Sequence, residues 1–188
     1  MISPHIKTFW FKPERRFEFV AGQYTQLHLP HSNTDNRGDK RWFTISSSPT
    51  DDLFSITCRF APDKSSSFKA YLGRLTPGTQ VQFAEPMGDF VLPKDKNIPL
   101  VFAAGGIGIT PMISMLSYMH ATSDKRAVQL LYSARTPEEL AFLAQIKTYN
   151  VPFEAITSQP SPDWKGEIGH LDAKRALKAI GNSQDALI

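Results

Sequence analysis

Leu100-Val101-Phe102-Ala103-Ala104-Gly105-Gly106-Ile107-Gly108-Ile109-Thr110-Pro111 runs from an unbroken apolar stretch into a glycine cluster and then into a helix signal. Residues 100–104 are continuously apolar, which fits a strand covered on both faces, as in a parallel sheet. Gly105, Gly106 and Gly108 allow backbone angles closed to other residues and let a ligand approach the main chain. Thr110 is placed to cap the following helix, and Pro111 suits its first turn. The free N–H groups and the dipole of such a turn favour an anion, for example a pyrophosphate. The spacing departs from the common dinucleotide fingerprint, because the third glycine of Gly-x-Gly-x-x-Gly would fall at Pro111. A tight connection that binds nothing is the alternative reading of the same residues.

Downstream, residues 110–119 put Met112, Met115, Leu116 and Met119 at helical spacing, a stripe read as core. No residue from 98 to 119 is charged, but the glycines and prolines inside this stretch argue for strand, turn and helix rather than a membrane span. Residues 127–133 and 151–157 read as further strands. Thr136-Pro137-Glu138-Glu139 opens a helix with a Thr/Glu capping box and Pro at its first position. Asp172 caps a last helix that Gly181 ends, and residues 186–188 start another strand. Strands alternating with helices predict a parallel α/β sheet.

Upstream the rhythm differs. Residues 25–29, 41–46, 53–60 and 80–83 are strand candidates, Pro77-Gly78 marks a turn, and the one helix spans residues 66–72 with Ser65 or Ser66 as cap. Short strands with one helix predict a small antiparallel barrel. The fold class is therefore two-domain: an antiparallel β-barrel over residues 1–95, then an α/β parallel-sheet nucleotide-binding domain over residues 96–188.

The 188 residues are 41% hydrophobic and 21% charged, which is ordinary for a globular chain able to bury a core. The net charge of +3 comes without a Lys/Arg block, so no nucleic acid is implied. A mild positive bias would suit an acidic electron-transfer partner, but a plain solvated surface is the better reading of it. Cys58 is the sole cysteine, which excludes an internal disulfide and a cysteine-ligated iron–sulfur cluster within the chain, and fits a reducing compartment. The His residues show no metal-ligand spacing, so no metal is expected. There is no signal-peptide pattern, no Gly-x-Ser-x-Gly elbow and no catalytic carboxylate pair.

Residues 105–111, Gly-Gly-Ile-Gly-Ile-Thr-Pro, closely resemble the nicotinamide-dinucleotide motif of the ferredoxin–NADP⁺ reductase superfamily. Ala21-Gly22-Gln23-Tyr24, Arg41-Trp42-Phe43-Thr44-Ile45-Ser46-Ser47, Ser66-Ser67-Phe68-Lys69, Glu85-Pro86-Met87-Gly88-Asp89-Phe90 and Leu131-Tyr132-Ser133-Ala134-Arg135 resemble other segments of that family, in the correct order. The resemblance implies electron flow from NADH or NADPH through bound FAD to a one-electron carrier: a ferredoxin, a flavodoxin, or an iron–sulfur or haem protein. FMN is the lesser alternative to FAD.

On the flavin side, the resemblance implies a site spanning Arg41, Trp42, Phe43, Thr44, Ile45 and Ser46. Arg41 offers a planar donor fork to a pyrophosphate. Phe43, where relatives more often have Tyr, lies against the isoalloxazine, and Thr44 bonds near N5; these two are the catalytic candidates. Ser65, Ser66, Ser67 and Phe68 belong to the phosphate-binding helix start, with Lys69 a weaker candidate. On the coenzyme side stand Gly105, Gly106, Gly108, Thr110, Pro111, Ser133 and Arg135. Each has a structural alternative: a salt bridge for Arg41, core for Phe43, strand pairing for Thr44 and simple capping for the serines.

Departures from the family pattern are informative. Glu85 replaces a common Gly. Ser158-Gln159 stands where NADP-specific relatives carry Ser-Arg, so NAD is favoured, with Arg135 and Lys165 as other sources of positive charge. The family's Cys-Gly-Pro-like segment is not found and Cys58 comes far too early for it. The expectation is a fragment or a domain of a longer, membrane-associated reductase, working in the cytoplasm or at the cytoplasmic face of a membrane. The rival is a flavin-binding electron-transfer module that does not itself turn over NAD(P)H.

Overall fold

A computed structural model describes residues 5–60 and 65–181. The upstream part holds β1 (Ile6–Phe11), β2 (Tyr24–His28), β3 (Lys40–Thr44), β4 (Phe54–Arg59), the short helix α1 (Ser67–Leu72) and β5 (Gln82–Phe83). All pairings here are antiparallel: β1 with β4, and β3-β2-β5 in that order. An Ile45–Ile56 bridge, with Ser46 N–H donating to the Ser55 carbonyl at 2.8 Å, joins the two sheets. Leu27, Leu29, Ile56, Cys58, Phe68 and Leu72 form the core between them, and Phe9, Phe11, Phe43 and Phe83 pack around it. Burial pushes the Cys58 thiol up to about 11, so it behaves as a small apolar side chain.

The downstream part alternates β6 (Leu100–Gly105), α2 (Thr110–Ala121), β7 (Val128–Ala134), α3 (Leu143–Thr148), β8 (Phe153–Thr157), β9 (Glu167–Ile168) and α4 (Ala173–Ile180). Among the described residues its four strands are parallel in the order β6-β7-β8-β9. The methionine stripe of α2 is core, as expected: Met112, Met115, Leu116 and Met119 are all buried with Ile113 against Phe102, Leu130 and Tyr132. Asp172 caps α4 by accepting from the Arg175 amide at 2.8 Å, and Gly181 ends the helix. No helix among the described residues is long and apolar enough to cross a membrane.

Three points go beyond the sequence reading or depart from it. β1 is a strand that the candidates above did not include: its aromatic and β-branched run pairs along all of β4. The segment at Thr136 is a single 3₁₀ turn, Pro137–Glu139, with no side-chain cap bond. The Thr/Glu capping box does not form, and the α-helix proper starts at Leu143, after Phe142 at φ +62°. The fourth parallel strand is β9; the strand expected at residues 186–188 lies outside the described residues.

The two parts meet along a packed seam. Ile6 and Ala21 are buried in the downstream core. Ser114 Oγ, on α2, donates to the buried Ser47 carbonyl at 2.6 Å. Gly22, at φ +103°, leaves no room for a side chain: a Cβ there would lie 2.1 Å from the Phe90 carbonyl oxygen and 2.4 Å from Met115 Cε. Behind the seam, Arg126 donates to the Pro93 carbonyl at 3.0 Å and pairs with Asp124 at 3.1 Å. Both charged side chains are almost wholly buried (4% and 2% exposed), and Lys96 reaches Asp124 from outside at 3.2 Å.

Candidate cofactor site

β3 carries the flavin-signature residues, and strand alternation divides them. Arg41 and Phe43 share a face with the fully buried Leu27 and Thr25, their partners across β2. Phe43 meets Phe68 of α1 at 6.0 Å between ring centroids and lines the upstream core. Trp42 and Thr44 point the other way. Trp42 is 51% exposed and meets the Tyr24 ring edge-on at 5.4 Å. Thr44 is half-buried and its hydroxyl makes no hydrogen bond among the described residues. Ile45 is fully buried. Ser46, expected to face a cofactor, instead bonds Ser55 Oγ at 2.9 Å and Thr57 Oγ1 at 2.8 Å inside the fold. With Thr8, whose Oγ1 is 2.8 Å from Thr57 Oγ1, four hydroxyls satisfy one another there, and the sequence pattern gives no sign of that network.

Arg41 works hard within its own loop. Its Nη1 donates to the carbonyls of Arg37 (2.7 Å), Gly38 (3.1 Å) and Lys40 (2.6 Å). Its guanidinium lies 5.1 Å from the Phe68 ring centroid. Nη2 is buried, has no hydrogen-bond partner among the described residues, and is 3.6 Å from Asp35 Oδ1. The other Asp35 oxygen accepts from the Ser67 amide at 3.0 Å and from Arg37 Nη2 at 3.0 Å. Ser66 caps α1 by accepting from the Lys69 amide at 3.2 Å, Ser65 precedes it on the exposed side, and Lys69 Nζ is turned to the Arg59 carbonyl at 2.6 Å. Arg41 and the start of α1 thus converge, with Asp35 between them, a residue that the sequence reading did not single out.

The glycine turn is open. Gly105 ends β6 in extended conformation, Gly106 takes φ +51°, and Gly106–Ile109 form a 3₁₀ turn leading into α2. A Cβ placed on Gly105, Gly106 or Gly108 would have nothing within 4 Å. Thr110 does not cap α2 as expected: it is the first residue of the helix, and its hydroxyl bonds back to the Ile107 carbonyl at 3.2 Å. No side chain caps the 3₁₀ turn or α2, so the first-turn amides keep their donors. Pro111 occupies the first helical turn. Ser133 is level with Gly105 on β7, at the carboxyl edge of the parallel sheet, the usual ligand-facing edge in α/β folds. Arg135 follows β7, 3.4 Å from Glu139, which also holds Arg59 of β4 at 3.1 Å. The Gln159 amide donates to the Arg135 carbonyl at 2.7 Å.

The two candidate surfaces adjoin. The Gly106–Ile109 turn packs on β4, the Arg59–Glu139 pair crosses the same boundary, and Ser47 of the signature touches Ser114 one turn into α2.

Comparison with known proteins agrees with this architecture. The family described as the oxidoreductase NAD-binding domain matches residues 102–188. The reductase component of propane 2-monooxygenase from Mycolicibacterium smegmatis is 32% identical over 134 residues, 70% of this chain and 36% of that protein. The flavohemoprotein of Bacillus subtilis is 29% identical over 196 residues, 96% of this chain and 47% of that protein. In fold, the FAD/NAD-binding domain of Vibrio cholerae nitric oxide dioxygenase superposes with TM-score 0.79 at 19% identity, over 99% of this chain and 80% of that one. A ferredoxin–NADP⁺ reductase from Neisseria gonorrhoeae gives TM-score 0.74 at 23% identity, over 95% and 72%.

Residues 102–188 thus carry an oxidoreductase NAD-binding domain, and the chain shares the two-part fold of the ferredoxin–NADP⁺ reductases. It spans between 36% and 47% of the length of the two curated relatives just described. Asp35, His31 and Glu139 are the residues around the candidate site that superfamily motifs do not flag. Each also has a partner on a distant element, Ser67 for His31 and Asp35 and Arg59 for Glu139, which spacing along the chain does not show.

Proposed function

We propose that this chain is the flavin- and coenzyme-binding unit of an NAD(P)H-dependent oxidoreductase, residues 1–95 holding FAD and residues 96–188 the nicotinamide dinucleotide. The observation that carries the reading is the seam, which sets the flavin-signature strand beside the glycine turn. The residues fit both groups: a buried Arg41 nitrogen lacks a hydrogen-bond partner among the described residues, and the glycine turn has open space above uncapped amides. Bound there, flavin and nicotinamide supply the hydride chemistry and the one-electron release.

The protein's part is to bind, orient and bring close. Arg41 holds the flavin's diphosphate, with Ser65, Ser66 and Ser67 beside it. Thr44 offers its free hydroxyl toward the ring, on the face shared with Tyr24 and Trp42. Phe43 backs the site from the core side against Phe68. Gly105, Gly106 and Gly108 admit the coenzyme's diphosphate to the amides ahead of Thr110 and Pro111, with Ser133 and Arg135 at the edge. Gln159 in place of Arg, and the pairing of Arg135 with Glu139, favour NADH over NADPH, because a ribose 2′-phosphate needs unpaired cations. The electron acceptor is an oxygenase or haem protein, by analogy with the propane monooxygenase reductase and the flavohemoprotein, and the work is done in the cytoplasm.

Anaerobic addition of NADH to the FAD-loaded chain tests this. Bleaching of the yellow flavin band within seconds is expected. A chain that takes up no FAD overturns the reading. Uptake without bleaching by NADH or NADPH favours a flavin module that does not turn over the coenzyme.

A further inference from the structure

The loop between β2 and β3, residues 29–39, fastens onto α1 through two side chains. His31 Nδ1 donates to the Leu29 carbonyl at 2.7 Å, its Nε2 lies 3.0 Å from Ser67 Oγ, and its ring stacks on Tyr71 at 5.3 Å. Asp35 is bound more fully. Its amide donates to Ser67 Oγ at 3.0 Å, and one carboxylate oxygen accepts from the Ser67 amide and from Arg37. The second oxygen accepts from the Arg37 amide at 3.0 Å and faces the orphan Nη2 of Arg41 at 3.6 Å. The Arg37 hydrogen bond first, then the Ser67 amide, hold the Asp35 carboxyl far below the usual carboxylate range, so it stays an anion.

A carboxylate flanked by an arginine fork and a main-chain amide presents oxygen acceptors where a phosphate would present its own. The approach to Arg41 is incomplete, since 3.6 Å leaves Nη2 unbonded where a better-fitting anion would bond it. Asp35 and a diphosphate cannot share the place, because two anions at one cationic site repel.

We propose that Asp35 is a built-in counter-anion of the Arg41 site, which the flavin's diphosphate must displace on binding, so that the loop of residues 29–39 sets the strength of flavin retention. This rests on the flavin reading above. Its consequence is a lowered apparent affinity: the chain is competent only in the fraction of molecules whose loop has let go.

The test is titration of the apo chain with FAD, followed by quenching of flavin fluorescence, for wild type, Asp35→Asn and Arg41→Gln. Asp35→Asn keeps an oxygen acceptor for the Ser67 amide but removes the charge, and is expected to tighten FAD binding by about tenfold. Riboflavin, which has no phosphate, should bind both forms equally. Arg41→Gln should weaken FAD binding. In the wild type, hydrogen exchange at the Asp35 and Gly38 amides should speed up when FAD is added, a readout that needs no variant. Unchanged or weaker FAD binding by Asp35→Asn, or slower exchange of those amides in the holo form, overturns the proposal and leaves the flavin reading standing. Absence of FAD binding in every form overturns both.

Discussion

Arg41 and Gly106 show how much single residues contribute here. The arginine's fork reaches three carbonyls and an aspartate at once, which an ammonium group cannot do. Gly106 holds a left-handed backbone angle with open space where a Cβ would project. Gly106→Ala is expected to cost about 1 kcal/mol of stability through the strained φ. It is also expected to raise KM for NADH more than it lowers kcat, because the methyl group enters the space assigned to the coenzyme. Steady-state kinetics with a melting curve separates the two effects. At this scale the sequence was a partial guide. Arg41, Thr44 and the glycines could be picked out from local motif wording. The hydroxyl of Ser46 is held by Ser55 and Thr57 of the facing strand, a contact that local motif wording does not carry. Asp35 was invisible, because its hydrogen bonds with Ser67 span 32 positions of sequence.

Among elements, the strand–turn–helix at β6 and α2 was the most legible, since a continuous apolar strand, a glycine cluster and a methionine stripe all agree. The turn itself differed in detail. A 3₁₀ turn intervenes before α2, so Thr110 lies inside the helix and its hydroxyl bonds the turn's own carbonyl. β1 escaped notice because Lys7 and Thr8 interrupt its apolar pattern, and β9 because two residues leave no period to read. The contact that ties α2 to the signature loop is Ser114 with the Ser47 carbonyl, both buried. Ser114→Ala leaves that carbonyl without its donor and is expected to destabilise the chain by about 1–3 kcal/mol. Denaturant unfolding should show a lower midpoint with an unchanged slope.

Across the whole molecule, the Asp124–Arg126 pair and the Pro93 carbonyl fasten the lead into β7 to the segment that enters β6 from the upstream part. Arg126 lowers the Asp124 carboxyl from the ordinary 3.8 to about 2. A depressed carboxylate contributes its stability fully above the unfolded value and loses it as pH falls through the folded value. The contribution is therefore intact at neutral pH and fades between about pH 4 and pH 2. Asp124→Asn leaves Arg126 buried without its counter-charge and is expected to cost on the order of 3 kcal/mol at pH 7. The gap between variant and wild type should narrow in melts taken toward pH 2, and a constant gap would disprove the assignment.

Gly22 has no chemistry of its own, yet it governs how near the two parts come. Its missing side chain lets the Phe90 carbonyl and Met115 close over it. A Gly22→Val chain would carry a wedge at that point while every ligand-facing residue stayed intact. Such a variant is strained at φ +103° and should melt lower, while its folded molecules should still take up flavin and coenzyme with slower traffic between them, which stopped-flow reduction set beside equilibrium titrations and a melting curve would reveal. Inheritance of a bare α-carbon at this position would then count as selection for conductance, not for affinity.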